Sequence, residues 1–173
     1  ATASAQKLTG GMTAGVTNAA ATLGSQGVDA VSETWVATIA NASLADTNVQ
    51  TFSFNGATVT LTANDAGAAA TTTATASNAS TITIDKDAAA ADISAALAEA
   101  FGKMRDFADA DPTNNELRGF TFNGTTADFT ITDAAANGNN NNALTLTTGG
   151  ANVGAITIDG AVAAVAASGT GVD

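Results

Sequence analysis

One pattern occurs twice in this chain and constrains its fold more than any other feature. Phe52-Ser53-Phe54-Asn55-Gly56 returns as Phe120-Thr121-Phe122-Asn123-Gly124, each copy flanked by alternating residues. Alternation puts successive side chains on opposite faces of a strand. Asn-Gly supplies two neighbouring residues that accept positive φ, as the two-residue turn of a β-hairpin demands. The first copy predicts a hairpin in which Phe52, Phe54, Val59 and Leu61 share one face and Thr58, Thr60 and Thr62 the other. The second predicts that Phe120 and Phe122 meet Phe129 and Ile131. A chain with two such hairpins is committed to a sheet with one apolar face, which must then be covered.

Other segments follow the same rule. Thr34 to Ala40 predicts a strand with Trp35, Ala37 and Ile39 on one face. Thr81–Asp85, Ala143–Thr148 and Gly154–Ile158 each offer two aliphatic residues in alternation. Asp65 to Ser80 has no period and reads either as a long exposed loop or as an edge strand through Thr71 to Ser77. One segment has helical spacing. Ile93, Ala96, Leu97, Ala100, Phe101, Met104 and Phe107 recur at intervals of three and four, predicting a helix over about 88–108. Asp87 or Asp92 would cap it, Lys103 and Arg105 suit its C-terminal end, and Asp109-Ala110-Asp111-Pro112 would stop it. The expected fold class is α+β and mainly β: a short-stranded antiparallel sheet or sandwich with one amphipathic helix. Its expected limits are an extended segment at 1–30, a β-rich domain with two Asn-Gly hairpins at 31–160, and an extended tail at 161–173.

Composition narrows the chemistry. The chain has no His, no Cys and no Tyr, which removes imidazole catalysis, thiolate nucleophiles, disulfides and His- or Cys-ligated metals. Sixteen acidic residues against five basic ones give a net charge of −11. Nucleic acid is therefore not an expected partner, since binding its backbone needs clustered cations. No apolar run approaches the ~20 residues that span a bilayer, so no membrane insertion is expected. Only 12% of residues are charged, and solubility rests on Thr, Ser, Asn and Gly. Such surfaces pack against one another with few charges to desolvate. A chain that opens on Ala1 rather than Met reads as a processed product or a piece of something longer.

The order of these elements resembles the β-hairpin, helix, β-hairpin modules of flagellins and hook-associated proteins, often called hook IN motifs, which also occur in bacteriophage virion proteins. The residues that carry it are Phe54-Asn55-Gly56-Ala57-Thr58-Val59-Thr60-Leu61, Ser80-Thr81-Ile82-Thr83-Ile84, Ala91-Asp92-Ile93-Ser94-Ala95-Ala96-Leu97, Phe120-Thr121-Phe122-Asn123-Gly124 and Asn142-Ala143-Leu144-Thr145-Leu146-Thr147-Thr148. Neither terminus carries the long Gln- and Leu-rich helices that build a flagellin core. The resemblance accordingly implies an outer domain, or an appendage subunit that assembles another way, with a surface-exposed structural role and no enzyme activity.

The leading expectation is thus a structural subunit of an extracellular filament or surface appendage that assembles with itself. Ala161, Val162 and Val165 are its candidate assembly residues in the tail. The alternatives are a phage or virus particle protein, and a secreted adhesin or carbohydrate-binding module that recognises surface glycans. For the last, Asp133, Asn137, Asn139 and Asn141 cluster oxygen donors in a Gly-containing loop, the donor type calcium takes; no other cofactor is expected. Asn41, Asn78 and Asn123 match the N-glycosylation sequon, and Thr72 and Thr73 are candidates for O-linked sugar. Trp35 and the repeated Phe residues read as core rather than as a stacking platform for sugars.

Overall fold

A computed structural model describes residues 33–107, 116–133 and 144–159. Among these described residues nine strands and one helix follow in the order β1 Thr34–Ala42, β2 Val49–Phe54, β3 Ala57–Asn64, β4 Thr71–Ala76, β5 Ala79–Asp85, α1 Ala90–Arg105, β6 Phe120–Asn123, β7 Asp128–Asp133, β8 Thr147–Gly149 and β9 Ile156–Asp159. They form a four-stranded sheet, β6-β7-β1-β9, and a five-stranded one, β4-β5-β3-β2-β8. The fold is mainly β with one helix, as the alternation predicts.

The first hairpin forms at its Asn-Gly. Asn55 and Gly56 both take positive φ (46° and 79°), and Phe52 lies opposite Val59 and Phe54 opposite Ala57. Phe52, Phe54, Val59 and Leu61 are all buried. The second hairpin pairs β6 with β7 but does not turn at its Asn-Gly: Asn123 lies opposite Thr130, and the chain closes through residues 124–127. A Cβ on Gly124 would overlap the carbonyl of Ser94 on α1. Gly124 is there because the β6–β7 loop lies directly on the first turns of the helix, where Ser94 also donates to the Asp128 carbonyl at 2.7 Å. In this copy close approach, rather than the turn, requires the glycine.

The stretch after β3 contains the edge strand β4. Of its side chains only Thr72 is buried, whereas β5 turns Ser80, Ile82 and Ile84 inward. The more apolar strand therefore takes the interior place, parallel to β3, and the Thr-rich one takes the rim. That β3–β5 pair departs from the antiparallel pairing found elsewhere in both sheets.

The apolar stripe of α1 is buried at Ile93, Ala96, Leu97, Ala100, Phe101 and Met104, and the helix lies against β4 and β5 of one sheet and β6, β7 and β1 of the other. Each large side chain so buried is worth about 1.5–3 kcal/mol. Its limits are tighter than the expected 88–108. Ala89 is the N-cap, and Asp92 reaches back to accept the Ala89 N–H at 3.3 Å. Asp87 is not the cap. The helix ends at Arg105 with Asp106 behind it, leaving Phe107 past the last turn and 37% exposed. Residues 109–112 lie outside the described residues.

Aromatic rings fill the space between the sheets. Trp35, Phe54 and Phe120 meet edge to face with centroids 5.1–5.8 Å apart. Phe101 stacks on Phe122 and Phe129 at 5.3 and 5.6 Å. On the side away from α1, the sheets are tied by one amide. Gln50 of β2, 1% exposed, donates to the Ile156 carbonyl at 3.1 Å and accepts the Ile156 N–H at 2.9 Å. Nothing in the alternation of β2 marks this inward polar residue as wanted. Its reason is that β9 brings an N–H and a C=O that need partners away from water.

Candidate assembly surface

For a chain expected to assemble with itself, the relevant chemistry lies at its sheet edges, where backbone N–H and C=O groups face outward. Four strands form these rims. β4 and β6 flank α1, and β8 and β9 lie on the opposite side.

The two rims beside the helix are each touched by a cation from its last turn. Lys103 donates to the Thr72 carbonyl at 2.8 Å and to the Thr72 hydroxyl at 2.7 Å, while pairing with Glu99 at 2.7 Å. Arg105 donates to the Phe120 carbonyl at 3.0 Å, lies over the Phe122 ring, and pairs with Asp106. These partners hold Glu99 below the ordinary glutamate value, through Lys103 first and the Thr72 hydroxyl second. Arg105 does the same for Asp106. Natural edge strands are usually blunted by charges, by Pro or by a bulge. β4 carries neither charge nor Pro in Thr-Thr-Thr-Ala-Thr-Ala, and its register shifts only near the turn, between Ala74 and Ala76. Thr71, Thr73 and Thr75 are exposed along it.

The opposite side is apolar. A groove of about 330 Å³ is lined by Leu146, Val153, Ile156 and Ile158 with Thr148, Gly154 and Thr157. Val153 is 57% exposed. A second cleft, about 290 Å³, lies between residues 68–70 and the N-terminal half of α1 and is rimmed by Asp85, Asp92 and Glu99. All three carboxylates have structural partners. Asp85 accepts the N–H groups of Asp87 and Gly67, which lower its pKa; Asp92 holds the helix start; Glu99 holds Lys103. Among the described residues no group of three acidic side chains is placed to hold a metal ion.

The expected site residues are distributed as follows. Asn41, Asn78 and Asn123 are exposed, at the end of β1, in the β4–β5 turn and at the end of β6, and Thr73 is exposed on the rim. Thr72 is a correction. It is 8% exposed and its hydroxyl is engaged by Lys103, so it offers no room for a sugar. Asp133 is also inward, 5% exposed at the end of β7. Asn137, Asn139, Asn141, Ala161, Val162 and Val165 lie outside the described residues. Phe52, Phe54 and Phe120 are buried and Phe122 is half-buried, so they form no platform for a sugar ring.

A feature not singled out in the sequence is the neighbour of Asp133. Its N–H donates to the Glu33 carbonyl at 2.9 Å, and Glu33 is 2% exposed. The signal was present in the alternation, which carries Ala37 and Trp35 on to Glu33 and Phe129 and Ile131 on to Asp133. No protein-family model, curated protein or solved structure matches this chain. No helix among the described residues is long and apolar enough to cross a membrane.

Proposed function

We propose that the protein is a structural subunit of an extracellular filament or surface appendage, assembling with copies of itself and performing no catalysis. The observation that carries this reading is the β4 rim: six residues of strand, rich in β-branched Thr, with no charge or Pro of their own. Pairing along such an edge satisfies outward backbone groups and, apart from Lys103 at Thr72, meets no charge to desolvate, which favours strand addition by a neighbouring subunit. The scarcity of charged residues over the whole chain supports the same mode of packing.

The test is a charge placed on the rim. Thr73→Lys should abolish ordered assembly in electron micrographs and leave the melting temperature within about a degree or two, because Thr73 is exposed and surface changes cost little. Assembly that survives Thr73→Lys unchanged would refute the β4 rim as the contact. Micrographs of the protein from its source also separate the two structural readings, since helical filaments mark an appendage and closed particles a virion.

A further inference from the structure

The chain has five basic residues, and two of them, Lys103 and Arg105, stand in the last turn of α1. Residues two apart lie on opposite sides of a helix, so one reaches each sheet. Both end on rim carbonyls. The Thr73 carbonyl accepts the Ser80 hydroxyl of β5 at 3.1 Å, so Thr71 and Thr73 turn their backbone groups toward β5. Thr72 and Ala74 turn theirs outward, toward an arriving strand. Lys103 covers the first of these outward carbonyls, Thr72, and anchors itself on the Thr72 hydroxyl beside it. On the other rim the Phe120 N–H is taken by the Leu117 carbonyl, and the Phe120 carbonyl by Arg105.

The two covers differ in how firmly they sit. Arg105 is fixed by a two-pronged pair with Asp106, at 2.8 and 3.0 Å, and by the face of the Phe122 ring. Lys103 is a single ammonium on a flexible stem, 44% exposed, and its ionic partner Glu99 lies one turn back on the same helix. It can leave Thr72 and keep that partner.

We propose that Lys103 is a releasable gate on the β4 rim, whereas Arg105 keeps the β6 rim closed. In the separate subunit Lys103 holds the Thr72 carbonyl and slows edge-to-edge pairing. β4 carries no charge or Pro of its own, so its guard comes from the helix. The occupant that displaces it is the edge strand of a second copy. That strand gains its first foothold on the outward groups of Ala74. One of its backbone N–H groups then takes the Thr72 carbonyl, and Lys103 withdraws onto Glu99. A hydrogen bond from an ammonium is roughly twice as strong as one between neutral groups, so this exchange is a barrier to pairing, yet it leaves no charge without a partner. The inference rests on the reading of β4 as the assembly contact and adds what holds subunits apart before they assemble.

The association rate of the intact chain, followed by light scattering, tests the gate. Lys103→Met keeps the aliphatic stem and removes the donor, and it should speed association by about tenfold or more. The substitution makes the chain more negative, which by itself slows association of like-charged copies. Lys86→Met removes the same charge from a residue paired with Asp65 and Asp87 and should bring no acceleration. If Lys103→Met does not fold, Lys103→Ala gives the same comparison. A rate that is unchanged or slower, with Thr73→Lys still abolishing assembly, would overturn the gate and leave the β4 contact standing. Equal acceleration by Lys86→Met would overturn the gate as well, since charge rather than position would then be responsible. Assembly that persists in the Lys103→Met, Thr73→Lys double variant would overturn both readings, as would chains that all remain single subunits.

Discussion

Gly56 and Gly124 follow the same kind of Phe-X-Phe-Asn run and meet opposite demands. At Gly56 the backbone holds φ at 79°, and an added methyl would find only the Glu116 side chain, 4.0 Å away. Gly56→Ala should therefore cost only the strain of a side chain in the left-handed region, about 1–2 kcal/mol. At Gly124 the same methyl would run into the Ser94 carbonyl and the Ala95 nitrogen, both parts of α1 that cannot yield without moving the helix. Gly124→Ala should cost more, about 3 kcal/mol, the upper end of ordinary overpacking penalties. Denaturant unfolding of the two variants checks the order, and an equal loss would contradict the close approach. The duplicated residues made both glycines visible in the sequence. Which of them serves a turn and which a contact was not visible, because the second depends on a helix that lies elsewhere in the chain.

α1 acts as the element that closes the gap between the sheets on one side, and its polar ends are as specific as its apolar stripe. Lys103 reaches β4 while Arg105 reaches β6, so the last turn engages both rims. Glu99, Asp85 and Asp106 all have carboxyls held below their ordinary values, by Lys103, by the Asp87 and Gly67 amides, and by Arg105 respectively. A carboxyl whose folded pKa lies below its unfolded one contributes stability that is present above the unfolded value. That contribution is lost as pH falls through the folded value. All three act in the same sense, so stability should decline in acid, below about pH 4. Glu99→Gln should flatten part of that decline and cost little at pH 7, since the pair is largely exposed and weakly coupled. Melting temperatures of the two chains between neutral pH and strong acid make the comparison. The helix stripe from Ile93 to Met104 was legible from spacing alone. Its true ends were not, because Phe107 fits the period yet falls beyond the last hydrogen-bonded turn.

For the whole molecule, a net charge of −11 opposes association of copies even where the contacting strands are uncharged. Added salt screens that repulsion over the Debye length, about 10 Å at 0.1 M and shorter above it. Self-association through the β4 rim should accordingly strengthen as ionic strength rises, whereas an interface built on ion pairs would weaken. Sedimentation across a salt series distinguishes them. Strengthening that persists in Thr73→Lys would point to a different surface. The sides of the molecule differ in kind. One pair of rims is met by cations from α1; the other frames an apolar groove.

Read alone, the sequence determined which residues face inward: Trp35, Ala37 and Ile39 on β1, the Phe-X-Phe pairs, Ile82 and Ile84, and the stripe of α1. It also determined the type I′-like hairpin at Asn55-Gly56 and the mainly β class. Those features are local, set by the two-residue period of a strand, the 3.6-residue period of a helix and the φ tolerance of Asn-Gly. Only the tertiary structure decided which strands are neighbours. It set β5 inside β4 and parallel to β3, buried Gln50 because Ile156 needed a partner, turned Thr72 away from solvent, and placed Gly124 on the helix. Periodicity states a residue's face but carries no information about what lies opposite, since pairing joins segments that are far apart along the chain.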